Sequence, residues 1–171
     1  MNSPSDSLDS SPAERFSQFV QDCNAAGHPV QLVSAPACQS LDALAVALHC
    51  AVADLYKTVC LNYKENDGKR VLVSVVVPAV ARVDLQKISD VLGIPVNKIK
   101  SAQPDFIAQE TGFVPGGIPP FGYTGRRLVD ESIFTRQVVC AGGGNNTHEY
   151  SRFSPTFLRH VHPDIVVDSF H

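Results

Sequence analysis

A chain of 171 residues with 44% hydrophobic and 18% charged content is long enough for one well-buried domain and too short for two ordinary ones. No apolar run approaches the ~20 residues of a membrane span, and the five cysteines (Cys23, Cys38, Cys50, Cys60, Cys140) form no CxxC pair and are odd in number, which argues against a disulfide framework and a zinc knuckle. The net charge of −3 conceals an asymmetry: residues 1–55 carry six acids and one base, residues 56–127 ten bases and six acids, and residues 128–171 five acids and three bases. A basic middle is compatible with a phosphate-bearing partner and equally with a solvated face of mixed charge.

Residues 1–11 lack the basic start and apolar core of a secretory signal, and their Ser/Asp/Pro content predicts a disordered tail on a cytoplasmic protein. A single domain is expected over residues 12–171. Ser11, Pro12 and Glu14 form the N-terminal signature of a helix over about 12–25, with Phe16, Phe19, Val20 and Cys23 as its apolar stripe and Gly27 beyond its end. A second helix is predicted after Ser40, with Leu41, Leu44, Ala45 and Leu48 read as a core face. The period then changes. Residues 55–63 read as a strand, 65–69 as a turn, and 70–77 as the antiparallel partner, whose β-branched run predicts burial on both faces.

Asp84 opens a third helix through Leu92, stopped by Gly93, and Pro104 opens a short fourth through about Gln109. Beyond a Gly/Pro loop, 127–130, 137–141 and 147–153 read as short strands, Ser154 and Pro155 as the start of a helix, and 165–167 as a last strand. The pattern predicts an α+β fold: a curved, mostly antiparallel mixed sheet flanked by helices.

The segment Thr111–Gly125 packs five glycines and three prolines into fifteen residues. Glycine permits positive φ and close approach of a ligand to the backbone, while proline fixes φ and removes a donor, so the remaining amides can form a rigid cradle for an anion or oxyanion. A plain surface loop of tight turns has the same composition. Lys57 interrupts an apolar strand on the face shared by Val59 and Leu61, where it is either a cation at the floor of a pocket or an edge lysine whose ammonium reaches solvent. A second glycine cluster, Gly142–Gly144 with Asn145, is a hairpin turn or a second wall of amides. It fits neither a P-loop nor GxGxxG. No G-x-S-x-G elbow and no Cys/His spacing supports a protein nucleophile. His148, His160 and His162 lack a complementary ligand set, so neither a metal nor a cofactor is expected.

In order, Tyr56–Lys57–Thr58, the run ending Val75–Pro78, V-D-L-Q-K-I-S-D-V-L-G at 83–93, E-T-G-F-V-P-G-G-I-P-P-F-G at 110–122, Asp130–Glu131–Ser132, Ala141–Gly144 and S-P-T-F-L at 154–158 resemble the family of YbaK and the prolyl-tRNA synthetase-associated editing domain over about residues 38–168. The resemblance implies a free-standing, trans-acting aminoacyl-tRNA deacylase that hydrolyses the ester of a mischarged tRNA. The implied substrate is tRNA for proline carrying alanine, serine, threonine or cysteine, and the implied partner is a prolyl-tRNA or other synthetase. It places Lys57 at the terminal phosphate or the reacting carboxyl end and the amides of Gly116, Gly117 and Ile118 at the developing oxyanion, with water as nucleophile. Tyr56, Thr58, Pro119, Phe121, Gly122, Gly142, Gly143, Gly144 and Asn145 are expected to contact substrate. A non-catalytic tRNA- or synthetase-binding protein on the same scaffold is the alternative.

Overall fold

The computed structural model describes residues 11–144 and 148–171. Most of the expected tail and Asn145 lie outside those residues, and Ser11 belongs to the first helix as its cap. Helix α1 (Pro12–Ala25) starts on the reciprocal pair the sequence announces: Glu14 N donates to Ser11 Oγ at 3.2 Å and Ser11 N to Glu14 Oε2 at 2.7 Å. Strand β1 (Val30–Ser34) follows, and α2 (Leu41–Ala47) is capped by Ser40 Oγ, which accepts from Ala43 N.

The hairpin β2 (Tyr56–Lys64) and β3 (Arg70–Pro78) pairs Lys57 with Val77 and Lys64 with Arg70. Its turn closes through Glu65 N to Lys69 O, 2.8 Å, with Gly68 at φ +83°. Helix α3 (Leu85–Leu92) is capped by Asp84 and stopped by left-handed Gly93. Strand β4 (Lys100–Ser101) and helix α4 (Pro104–Thr111) lead into the Gly/Pro loop, which ends at β5 (Arg126–Asp130). Strands β6 (Val139–Gly142) and β7 (Glu149–Phe153), helix α5 (Thr156–Val161) and strand β8 (Val166–Asp168) complete the chain.

The fold is α+β, but its strands form two sheets where one was expected. A five-stranded sheet runs β4-β2-β3-β5-β8 and an antiparallel three-stranded sheet runs β1-β7-β6, the two joined by a bridge between Leu55 and Cys140. The β3–β5 and β5–β8 pairs are parallel. Alternation divides the central strands between two cores: Tyr56, Cys60, Leu72 and Val76 face an aromatic cluster with Phe16, Phe121, Phe153 and Phe157, whereas Leu61, Val73, Val75 and Val77 face Ile88, Leu92, Ile99 and Phe170. The hairpin is thus buried on both faces, as its β-branched run predicts.

Asp130, fully buried at the end of β5, accepts from Ser132 N (3.1 Å), Phe170 N (2.9 Å) and His171 Nδ1 (2.7 Å). Burial pushes its carboxyl up, but these hydrogen bonds outweigh burial and hold it below the usual carboxylate range.

Candidate active site

Strand β2 is covered unevenly along the edge opposite β3. Strand β6 touches that edge at Leu55 through Cys140, and β4 pairs with it at Leu61 and Asn62. The residues between them line a cleft of about 260 Å³. One wall is apolar, built by Leu41 and Leu44 of α2 with Leu55, Ala79 and Cys140. Tyr56, Lys57 and Thr58 of β2, Gly116 and Ile118 of the loop, and Gly142 and Tyr150 of the second sheet supply the rest. The structure therefore brings together residues that lie more than eighty positions apart.

Lys57 is half-buried, paired across the strand with Val77, and among the described residues its ammonium makes no hydrogen bond or ion pair. No described Asp or Glu lines the cleft. A cation in a mainly apolar recess without a counter-charge keeps its full attraction for an incoming anion. Beside it, Thr58 Oγ1 is buried and has no partner, a state that costs free energy until a ligand or water bonds to it.

The glycine loop meets this strand in a constrained conformation. Gly116 is exposed with φ +95°, and among the described residues neither its amide nor that of Ile118 donates to a protein acceptor. Gly142 explains how the two glycine clusters cooperate: a Cβ there would lie 2.8 Å from the carbonyl carbon of Ile118 and 3.0 Å from that of Gly117. The end of β6 packs directly on the loop backbone, and Gly144 N donates to Gly117 O at 2.8 Å. The absence of a side chain at Gly142 is what permits this contact.

The other expected residues lie off the cleft or have their polar groups already engaged, Tyr56 lining it all the same. Gly117 is buried and turns its amide into the loop, donating to Val114 O at 3.3 Å, so it is not a free oxyanion donor. Tyr56 lines the cleft, yet its hydroxyl bonds Ser132 Oγ at 2.8 Å and burial raises its pKa. Pro119 is buried and outside the lining. Phe121 is fully buried, stacked at 5.7 Å on Phe16 and edge-on to Phe157 at 4.9 Å, which makes it a core residue. Gly122 donates to His162 Nε2 at 3.2 Å, and Gly143 donates to Glu149 O at 2.8 Å. Neither they nor Gly144 line the cleft.

Leu41 and Leu44, read from the sequence as a core face, line it together with Ala79 and Tyr150, because a half-buried leucine in a helical stripe carries the same sequence signal whether it faces a core or a cleft. The nearby thiols are poor nucleophiles. Burial pushes Cys60 up to about 11 and raises Cys140, whose neighbour Cys50 adds to the effect. No group of three or more His, Cys, Asp or Glu that could hold a metal occurs among the described residues.

A family model described as the aminoacyl-tRNA editing domain matches residues 35–152. The chain belongs to this family. The match spans both walls of the cleft, from α2 to the second sheet. Among solved structures, the editing domain is similar to one called "a putative trans-editing enzyme for prolyl tRNA synthetase", with 25% identity, a TM-score of 0.74, and coverage of 94% of this chain and 98% of that one. It is also similar to a chain from work on epitope backbone grafting by computational design, with 24% identity, a TM-score of 0.74, and coverage of 94% and 97%. A larger protein from Marinobacter aquaeolei VT8, named for signal transduction, shares the fold at 14% identity and a TM-score of 0.61, covering 90% of this chain and 30% of that one. No curated protein matches. No helix among the described residues is long and apolar enough to cross a membrane.

Proposed function

We propose that this editing domain is a trans-acting aminoacyl-tRNA deacylase that hydrolyses the ester of a mischarged tRNA, tRNA for proline carrying a small amino acid such as alanine, serine, threonine or cysteine. The observation that carries the proposal is the juxtaposition of Lys57 with the amides of Gly116 and Ile118, all without a partner among the described residues, in a cleft that no described acid lines.

In this reading Lys57 holds the terminal phosphate or the carboxyl end of the ester, with the unpartnered Thr58 hydroxyl orienting it. Water attacks the ester carbonyl carbon, and the amides of Gly116 and Ile118 receive the charge that develops on the carbonyl oxygen. The acyl C–O bond then breaks and the ribose oxygen leaves with a proton, yielding a free amino acid and a tRNA with a free terminal hydroxyl. A neighbouring ribose hydroxyl of the substrate positions the water, which fits the raised pKa of the nearby thiols.

The apolar wall formed by Leu41, Leu44 and Ala79 selects by size. One methylene is worth only ~1–3 kcal/mol in a single binding step, so rejection of the larger cognate amino acid rests on exclusion. The test is a panel of mischarged tRNAs with the wild type and Lys57→Ala. Deacylation of a small-amino-acid ester, reduced about 10²–10³-fold by the substitution, is expected. Tight, salt-sensitive tRNA binding with no turnover on any member of the panel would replace the enzyme with a binding protein.

A further inference from the structure

The loop that begins in the cleft ends in a second cavity of about 370 Å³, walled by Phe19, Gly122–Gly125, Arg127, His162 and Asp164. Arg127 lies on the face of β5 that turns Val129 toward the aromatic core, and only 3% of it is exposed. Its Nη2 donates to Tyr123 O at 3.0 Å and the guanidinium sits 4.7 Å from the centre of the Tyr123 ring. Its buried Nε has no partner. The ion pairs Lys87–Asp168, Arg136–Asp54 and His171–Asp130 leave Arg127 out, and among the described residues no carboxylate pairs with it. A buried guanidinium compensated by one carbonyl and one ring retains much of its desolvation cost.

The remaining walls offer neutral donors and no second cation. His162 Nε2 accepts from Gly122 N, which assigns the ring proton to Nδ1, an atom with no partner among the described residues. Burial and then the Arg127 charge push this imidazole down to about 4, with Asp164 opposing them, so the ring is neutral near pH 7. Gly122 and Gly125 adopt φ of +93° and +129°, and the amides of Thr124 and Gly125 donate to no described acceptor. The one opposing group is Asp164, exposed at the rim.

We propose that this second cavity binds a phosphate group, inorganic or carried as a monoester, with Arg127 as its counter-charge and the Thr124 and Gly125 amides and His162 Nδ1 as neutral donors. One N–H of Nη2 is already committed to Tyr123 O, which occupies one of the two guanidinium forks that could grip a planar carboxylate; donors arriving from several sides suit a tetrahedral anion. The site stands independently of the chemistry in the cleft.

The test is a titration of the full chain with inorganic phosphate at constant ionic strength, read by the amide resonances of Thr124 and Gly125 and by Tm. Half-saturation at or below about 1 mM is expected. Asp164→Asn, a surface change that removes the opposing charge, should tighten binding several-fold, and Arg127→Gln should abolish it where the variant folds. Adenosine monophosphate binding more tightly than phosphate would identify a monoester as the occupant, and equal affinity would identify the free anion. Either result supports the site. No response to phosphate in the wild type and in Asp164→Asn, or adenosine binding as well as its monophosphate, would overturn it.

Discussion

Gly142→Ala is the sharpest probe of how the two glycine clusters build the cleft. The added Cβ would meet the Ile118 carbonyl oxygen first and stand 2.8 Å from its carbon and 3.0 Å from that of Gly117, whereas ordinary carbon contacts lie near 3.5–4.0 Å, so the loop and the end of β6 must part by about 1 Å. Both partners are backbone, and neither can swing aside as a flexible side chain would. Overpacking of this kind costs about 1–3 kcal/mol, which for a chain of this size lowers Tm by about 3–10 °C.

The movement falls on the Ile118 amide, a proposed oxyanion donor, and a misplacement of about 1 Å costs roughly 10²-fold in rate. Thermal denaturation, the amide resonances of Gly116 and Ile118, and deacylation of a mischarged tRNA read the three consequences separately. A fall in kcat with little change in KM is expected. Gly68→Ala is the control: φ there is +83° and nothing lies within 4 Å of the new atom, so it costs about 1–2 kcal/mol of backbone strain and leaves the cleft alone. Wild-type stability and unmoved loop resonances in Gly142→Ala would refute the packing argument, as would equal loss of activity in the control.

Phe121→Ala should cost about 3–5 kcal/mol in thermal or denaturant unfolding, because it empties the centre of the aromatic cluster, and it should leave substrate preference unchanged. A changed preference with full stability would return Phe121 to the binding site. Arg136 Nε bonds Asp54 Oδ1 at 2.8 Å, and the Asp54 side chain is only 10% exposed. Arg136→Ala should therefore cost about 1–3 kcal/mol, and the charge-neutral pair Asp54→Asn with Arg136→Gln should cost less. His162 is held below its ordinary pKa, at about 4, so between about pH 6.5 and 4 the unfolded chain binds the proton that the folded chain refuses. Stability should fall as pH drops through that window, by about 1–2 kcal/mol once partial exposure is allowed for, and His162→Gln should flatten that part of the profile in denaturant titrations.

What the sequence discloses follows from how local each interaction is. The caps at Ser11, Ser40 and Asp84 and the turn at residues 65–69 are decided within a few residues, and they stand where the pattern puts them. Strand β1 escapes notice because only Val30 of its five residues is buried and its strand partner is β7, more than a hundred positions away. The parallel pairing of Val75 with Leu128 is also non-local. In the site, Lys57 and Gly116 are legible because a cation in an apolar strand and a glycine among prolines are locally anomalous. Phe121 misleads for the converse reason: it adjoins the glycine motif in sequence while its side chain points into the core.

The cleft follows from one topological fact. The edge of β2 opposite β3 is met by the second sheet at Leu55 and by β4 at Leu61 and Asn62, and between those points that edge is left without a described strand partner. An exposed edge of this kind is a liability, usually blunted by a charge, and lysine is the common choice. Here the lysine is roofed by a loop whose amides are also free, so the device that would ordinarily keep a neighbouring strand away sits where it can attract an anion. Lys57→Val should therefore restore an apolar strand, raise Tm slightly and abolish the proposed deacylation. A variant that gained stability while keeping its activity would show that the lysine only guards the edge.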